Sequence, residues 1–202
     1  MKKTVGVIGA GNMGSAIIGG IYKHYNVSVC ELDKKKAQSL QRRYKVKLQN
    51  LEDLLHTAQI IIIAVKPQYI EDLLNDMRYH LSAQHLIVSI AAGITTKFIE
   101  KRLGKNIRVI RTMPNLPAQI NQGVTGICSG KLVTTTDVRT VEKIFQTIGK
   151  VEFLDERLID ALTAVSGSGP AYVFYFVECL QKAAKRLGLE KGVGDTLVLE
   201  TL

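Results

Sequence analysis

A short apolar run, Val5-Gly6-Val7-Ile8, leads directly into Gly9-Ala10-Gly11-Asn12-Met13-Gly14, and an apolar helical pattern follows. Strand, glycine turn and helix in that order open a nucleotide-binding βαβ unit. Gly9 permits the tight turn, Gly11 lets a pyrophosphate approach the backbone, and Gly14 lets the helix pack closely on the strand. The new helix then presents its unpaired N–H groups and the positive end of its dipole to phosphates. The bland alternative is the same tight turn with no ligand.

The rest of the chain supports the first reading. Strand-like runs fall at Thr4–Ile8, Val27–Cys30, Ile60–Val65, Leu86–Ile90, Ile107–Arg111, Val124–Cys128 and Lys150–Phe153. Helical runs lie between them at Asn12–Lys23, Lys34–Tyr44, Leu51–Thr57, Gln68–His80, Thr95–Leu103 and Asp137–Ile148. Such alternation predicts an α/β fold, a Rossmann-type doubly wound and mostly parallel sheet. Ile60-Ile61-Ile62-Ile63-Ala64-Val65 is apolar on both faces, as a central parallel strand must be. From Asp155 onward only helical signals remain, over about 157–165, 171–187 and 195–202. The expected division is a dinucleotide-binding domain over 1–154 and the start of a helical domain over 155–202. Ser166-Gly167-Ser168-Gly169-Pro170 is read as a break between two helices, with Pro170 starting the second. The segment Ala171–Val177 is apolar nearly all round, so it must be buried in a bundle or against a second subunit.

Bulk properties exclude several classes. The 202 residues contain no run of 18 or more apolar residues, so no transmembrane helix is expected. Met1-Lys2-Lys3-Thr4 enters a strand without a signal-peptide pattern. Cys30, Cys128 and Cys179 are scattered and odd in number, which reads as reduced thiols in a cytoplasmic protein. No Cys/His spacing suggests a metal site. The net charge of +9 concentrates in Lys34-Lys35-Lys36 and Arg42-Arg43 on one predicted surface helix. A solvated helix face, or attraction of an anionic cofactor, explains it better than nucleic acid, for which no motif is present.

Ligands of a doubly wound sheet bind at the carboxyl ends of its strands. Glu31 follows the second strand, where an acid binds the ribose hydroxyls of NAD(H) and repels the 2′-phosphate of NADP(H). Lys34, Lys35 and Lys36 lie one turn further on and favour that phosphate, so the two signals conflict. Ala64, Val65, Lys66 and Pro67 end the central strand, and Ile90, Ala91 and Ala92 end the next with side chains small enough for a flat ring to approach. Met113, Pro114 and Asn115 end a further strand in a loop that two prolines hold extended. Ser166 and Ser168 offer hydroxyls at the helical junction. His24, His56, His80 and His85 all fall on surface helices or loops, so no histidine acid or base is assigned.

These segments together resemble the pyrroline-5-carboxylate reductase family, in the family's order and across essentially the whole chain. The resemblance rests on Gly9–Gly14, Ala64–Gln68, Ser89–Gly93, Arg111–Asn115, Leu158–Ala161 and Ser166–Tyr172. It implies a Rossmann domain followed by an all-helical dimerisation domain, and a homodimer or higher homo-oligomer. It implies hydride transfer from NADP(H), or NAD(H) given Glu31, to the C=N carbon of 1-pyrroline-5-carboxylate, giving L-proline. By carry-over, Ile8–Met13 hold the pyrophosphate, Ala64–Pro67 and Ile90–Ala92 line the nucleotide track, and Asn50 lies near the ribose. The family continues with more helices and a Ser-Pro-Gly-Gly-Thr type loop that contacts substrate, and nothing of that type occurs between Gly188 and Leu202. The expectation is a chain lacking the C-terminal part of the helical domain, as a fragment or a natural short form. No catalytic acid is named, because a protonated imine needs mainly alignment and exclusion of water. The competing reading is a non-catalytic dinucleotide-binding or interaction protein. A hydroxyacid dehydrogenase ranks last, since Lys182 and Lys185 lack that family's preceding glycine segment.

Overall fold

The computed structural model describes residues 2–104 and 106–202. Among them eight strands form one sheet: β1 (Thr4–Ile8), β2 (Asn26–Cys30), β3 (Lys47–Leu48), β4 (Ile60–Ile63), β5 (Leu86–Ser89), β6 (Arg108–Pro114), β7 (Gly123–Ser129) and β8 (Gly149–Phe153). Their order is β3-β2-β1-β4-β5-β6-β7-β8, parallel throughout except between β6 and β7. The order reverses between β1 and β4, which is where such sheets open a crevice for ligands.

Helices α1 (Asn12–Ile21), α2 (Lys34–Tyr44), α3 (Leu51–Thr57), α4 (Ile70–Met77), α5 (Thr96–Leu103) and α6 (Thr135–Gln146) cover both faces of this sheet. The isoleucine run of β4 shows why two layers are needed. Ile60 and Ile62 join a core with Ile17, Ile18 and Ile21 of α1 and Val141, Ile144 and Phe145 of α6. Ile61 and Ile63 point the other way, into a core with Leu54 and Leu55 of α3, Leu74 of α4 and Ile99 of α5. Strand periodicity of two sends alternate side chains to opposite faces, so an all-apolar strand requires helices on both. Each of these fully buried side chains contributes about 1.5–3 kcal/mol of transfer free energy.

Registration across the sheet sets the geometry of the site. Ile8 lies opposite both Cys30 and Ile63, Ile63 opposite Ser89, and Ser89 opposite Arg111. The carboxyl ends of β1, β2, β4 and β5 therefore stop in one row beside Arg111 of β6.

Several local expectations are corrected. β3 was not legible in the sequence, because two residues cannot display a period. The central strand stops at Ile63, since Pro67 starts a 3-10 turn over Pro67–Tyr69 with its fixed φ. Arg111–Pro114 form strand, not a loop. β6 runs to Pro114, where the chain end of the strand tolerates a missing donor. Finally, the break expected over Ser166–Pro170 narrows to Ser168, and the helix after it opens with Pro170 in its first turn as expected. A 3-10 turn (Glu156–Leu158) and α7 (Ile159–Leu162) pass into a π turn over Thr163–Gly167, and α8 (Gly169–Arg186) begins at once. The π turn absorbs the change of direction. After α8, the last helix, α9 (Lys191–Thr201), packs Gly194 against Ala184 of α8.

Asp137 ties α6 to β6. Its carboxylate accepts from the Thr134 N–H at 2.9 Å and the Thr134 hydroxyl at 2.7 Å, closing a capping box, and from Arg108 at 2.6 Å. Burial alone would raise this carboxyl's pKa, but the Thr134 bonds and the Arg108 charge outweigh it and hold the group below the usual range. Its contribution is therefore present above the unfolded aspartate pKa, about 3.9, and is lost as pH falls through the lower folded value. We predict that Asp137→Asn lowers stability by about 1–2 kcal/mol at pH 7, and that this deficit closes below about pH 4. Urea unfolding at both pH values checks it.

Candidate cofactor and substrate site

The glycine turn is built by close backbone approach. Gly9 has φ +94°, and a Cβ there would lie 2.7 Å from the Ala64 carbonyl oxygen. A Cβ on Gly14 would lie 2.2 Å from the Gly9 carbonyl oxygen. Both glycines are thus required by packing alone. Gly11 is different: its backbone is extended (φ −65°, ψ −169°), and a Cβ there would meet nothing within 4 Å. The protein itself has no need for glycine at that position, whereas a pyrophosphate lying on the backbone does. The N-terminus of α1 has no side-chain cap, unlike those of α2, α3 and α6, and carries no acid in its first turn. Its first N–H groups, at Asn12 and Met13, have no intrahelical acceptor, which fits a dinucleotide phosphate.

The neighbouring segments converge on this turn. The Gly9 N–H donates to the Cys30 carbonyl at 2.9 Å and the Ala64 N–H to the Ile8 carbonyl at 2.8 Å. Glu31 sits just past β2, its carboxylate accepting the Ala10 N–H at 2.6 Å and the Asp33 N–H at 2.8 Å. A groove of about 330 Å³ beside it is lined by Glu31, Lys34, Leu48 and Asn50 among others. Asn50 also caps α3, accepting the Asp53 N–H at 2.8 Å. Val65 is half-buried and Lys66 exposed at the head of the 3-10 turn. On the next strand the Ile90 N–H donates to the Ile63 carbonyl at 3.1 Å, and the Ala91 N–H to the Ser89 hydroxyl at 3.2 Å. Ala92 is exposed and Gly93 turns the chain at φ +74°.

On the far side, the end of β6 meets the π turn. The Asn115 amide N–H donates to the Ser166 hydroxyl at 3.2 Å, and its carbonyl accepts the Val124 N–H at 2.8 Å. The second amide N–H of Asn115 has no partner among the described residues. A Cβ on Gly167 would come within 3.0 Å of Met113, so the π turn rests on that side chain. Pro114 is buried, and the Ser168 N–H closes the π turn on the Thr163 carbonyl at 2.8 Å. Met113, Asn115 and Ser166 are thereby brought together, although they are about fifty positions apart in the chain.

One group was missed by sequence reasoning. Arg111 is only 3% exposed and pairs with Glu156 at 3.4 Å and Asp160 at 3.3 Å. Glu156 also accepts the Thr96 N–H at 2.8 Å and the Thr96 hydroxyl at 2.7 Å. The signal was present, since an arginine inside the apolar strand 107–111 requires a buried anion. A second arrangement was also not legible: Glu52 Oε1 lies 3.8 Å from His56 Nε2 and 3.9 Å from His80 Nδ1 at the surface. The two histidines stand 24 positions apart, which conceals it.

A family model described as "NADP oxidoreductase coenzyme F420-dependent" matches residues 4–93. A model of "Pyrroline-5-carboxylate reductase dimerisation" matches residues 156–202. A pyrroline-5-carboxylate reductase of Escherichia coli K12 is 36% identical over 95% of this chain and 73% of its own length. The chain belongs to the pyrroline-5-carboxylate reductase family. The solved reductase of Coxiella burnetii has a TM-score of 0.90 at 32% identity, covering 100% of this chain and 77% of that one. A Plasmodium falciparum pyrroline carboxylate reductase, solved with NADP bound, has a TM-score of 0.87 at 32% identity, covering 99% and 75%. Within this reductase family frame, the two matched segments flank the sheet edge described above. The first ends at Gly93, and the second begins at Glu156, the partner of Arg111.

The contrast between two glycines provides a test. We predict that Gly14→Ala costs about 3 kcal/mol or more in urea unfolding, because backbone must move. Gly11→Ala should leave stability within about 0.5 kcal/mol while weakening dinucleotide binding about tenfold or more, read by nicotinamide fluorescence.

Proposed function

We propose that this chain reduces 1-pyrroline-5-carboxylate to L-proline with a reduced nicotinamide dinucleotide, the last step of proline synthesis. The observation that carries it is one sheet edge with two unlike halves. One half is a glycine turn that leads into the uncapped N-terminus of α1. The other is a polar junction, Asn115 on Ser166, at the foot of the helical segment. In this reading residues 1–154 bind the dinucleotide, and residues 155–202 contribute to the substrate side and to dimerisation.

Ile8–Met13 would hold the pyrophosphate, Glu31 and Asn50 the adenosine ribose, and Ala64–Pro67 with Ile90–Ala92 the track between. The reduced nicotinamide supplies the hydride that adds to the imine carbon. What the chain must do is orient and exclude. A protonated imine already carries positive charge, so its carbon accepts hydride readily, and alignment at about 3–3.5 Å supplies about 7–11 kcal/mol. Asn115, locked by Val124 and Ser166, is oriented to offer its remaining N–H to the substrate carboxylate. Small side chains at Ala91 and Ala92 leave room for a planar ring.

The homo-oligomer follows from α8. Tyr172, Val173, Phe174, Tyr175 and Phe176 are each more than half exposed, and Ala184 is the one buried residue of that helix. Consecutive exposed apolar residues run round this helix and call for a large apolar partner surface, which a second copy of the chain supplies symmetrically. No helix among the described residues is long and apolar enough to cross a membrane. Cys30, Cys128 and Cys179 are all unpaired, which supports a reducing cytoplasmic setting.

With pyrroline-5-carboxylate added, reduced-nicotinamide absorbance should fall in proportion to proline formed. Asn115→Ala should raise KM for the imine about tenfold with cofactor binding unchanged. Cofactor binding without turnover would instead support a non-catalytic role. In sedimentation, Phe174→Asp should weaken self-association about thirtyfold or more.

A further inference from the structure

We infer that the adenosine end of this site selects NADH over NADPH, with Glu31 reading the ribose 2′-hydroxyl and excluding a 2′-phosphate. The inference rests on the nucleotide-site reading above. It has two independent supports.

The first is the carboxylate itself. Glu31 stands at the carboxyl end of β2, where a nucleotide ribose lies in sheets of this topology. Two backbone N–H groups, from Ala10 at 2.6 Å and Asp33 at 2.8 Å, hold it in place. No lysine or arginine nitrogen among the described residues comes within 4.0 Å of it, so its charge is not paired off. A carboxylate held this way accepts a hydroxyl proton and repels a dianionic phosphate.

The second support lies at α2. A 2′-phosphate needs donors, and the nearest set is the N-terminus of that helix. Asp33 already occupies it, its carboxylate accepting the Lys35 N–H at 2.9 Å and the Lys36 N–H at 3.2 Å. The same carboxylate lies 3.8 Å from the Lys36 ammonium, so part of the basic cluster is engaged as well. Two acids thus fill the backbone donors that a phosphate would otherwise take. Lys34 is the one cation among the described residues that line this groove, and a single exposed ammonium is weak against two fixed carboxylates.

The test is equilibrium binding of NADH and NADPH to the full chain, followed by nicotinamide fluorescence, with ADP and adenosine 2′,5′-bisphosphate as competitors. NADH should bind about tenfold or more tightly than NADPH, ADP should compete better than the bisphosphate, and the ratio should shrink as salt rises. Glu31→Gln keeps an acceptor for the Ala10 N–H, so the turn survives. It should tighten NADPH until the two cofactors differ by about threefold or less. Equal affinities in the unaltered chain, tighter NADPH, or a ratio unmoved by Glu31→Gln would each overturn the inference. Failure to bind either cofactor would overturn it together with the nucleotide-site reading. Selective NADH binding without imine turnover would overturn the reductase reading alone.

Discussion

Everything at the site depends on how closely α1 approaches the end of β1. A Cβ at Gly14 would sit 2.2 Å from the Gly9 carbonyl, and one at Gly9 would sit 2.7 Å from the Ala64 carbonyl. Three backbone segments from β1, α1 and β4 therefore meet with no side chain between them. That contact aims the α1 N-terminus along the row of strand ends. It also brings Ala10 within reach of Glu31, just past β2. Larger residues would push the helix off the sheet. The apolar β4 core holds this arrangement from below, with Ile60 and Ile62 under α1 and Ile61 and Ile63 under α3 and α4.

A second constraint joins the sheet to the helical segment. Arg111 is buried at the end of the strand row, and a buried guanidinium without an anion would be strongly destabilising. Glu156 and Asp160 supply that anion from the first turns after the sheet, and Thr96 fixes Glu156 through two further bonds. The 3-10 turn, α7 and the π turn are thus anchored where Met113 and Asn115 emerge. Burial pushes the nearby Cys128 thiol up to about 12, with the Glu156 charge adding to it, so this thiol is inert. The polar ties at Arg111 are structural. They hold Ser166 against Asn115 and leave the aromatic first turns of α8 exposed.

Much of this was legible from local chemistry. The glycine turn, the isoleucine strand and the alternation of strands with helices identified the sheet, because period and turn chemistry both act over short stretches. The pairing of Asn115 with Ser166 was not legible as a contact, although each residue stood out alone. Their approach depends on the π turn, which has no sequence period of its own. The antiparallel β6–β7 pair was obscured by Pro114 and Pro117, which read as loop residues until the strand is seen to end at the first of them. The Arg111 cluster was hidden because its acids come from beyond the sheet. The role of Gly11 shows the reverse case: only the structure reveals that no protein atom requires a glycine there.

In the proposed reaction one sheet edge sets a reduced nicotinamide against a cyclic imine for direct transfer. The measurement that tests it is turnover of 1-pyrroline-5-carboxylate with a cofactor carrying deuterium on the transferring face of nicotinamide C4, followed by mass spectrometry of the product. The account predicts proline with one deuterium, on the ring carbon that was double-bonded to nitrogen, in amount equal to the cofactor oxidised. Cofactor oxidation without labelled proline, or no oxidation at all by a chain that binds the dinucleotide, would contradict it.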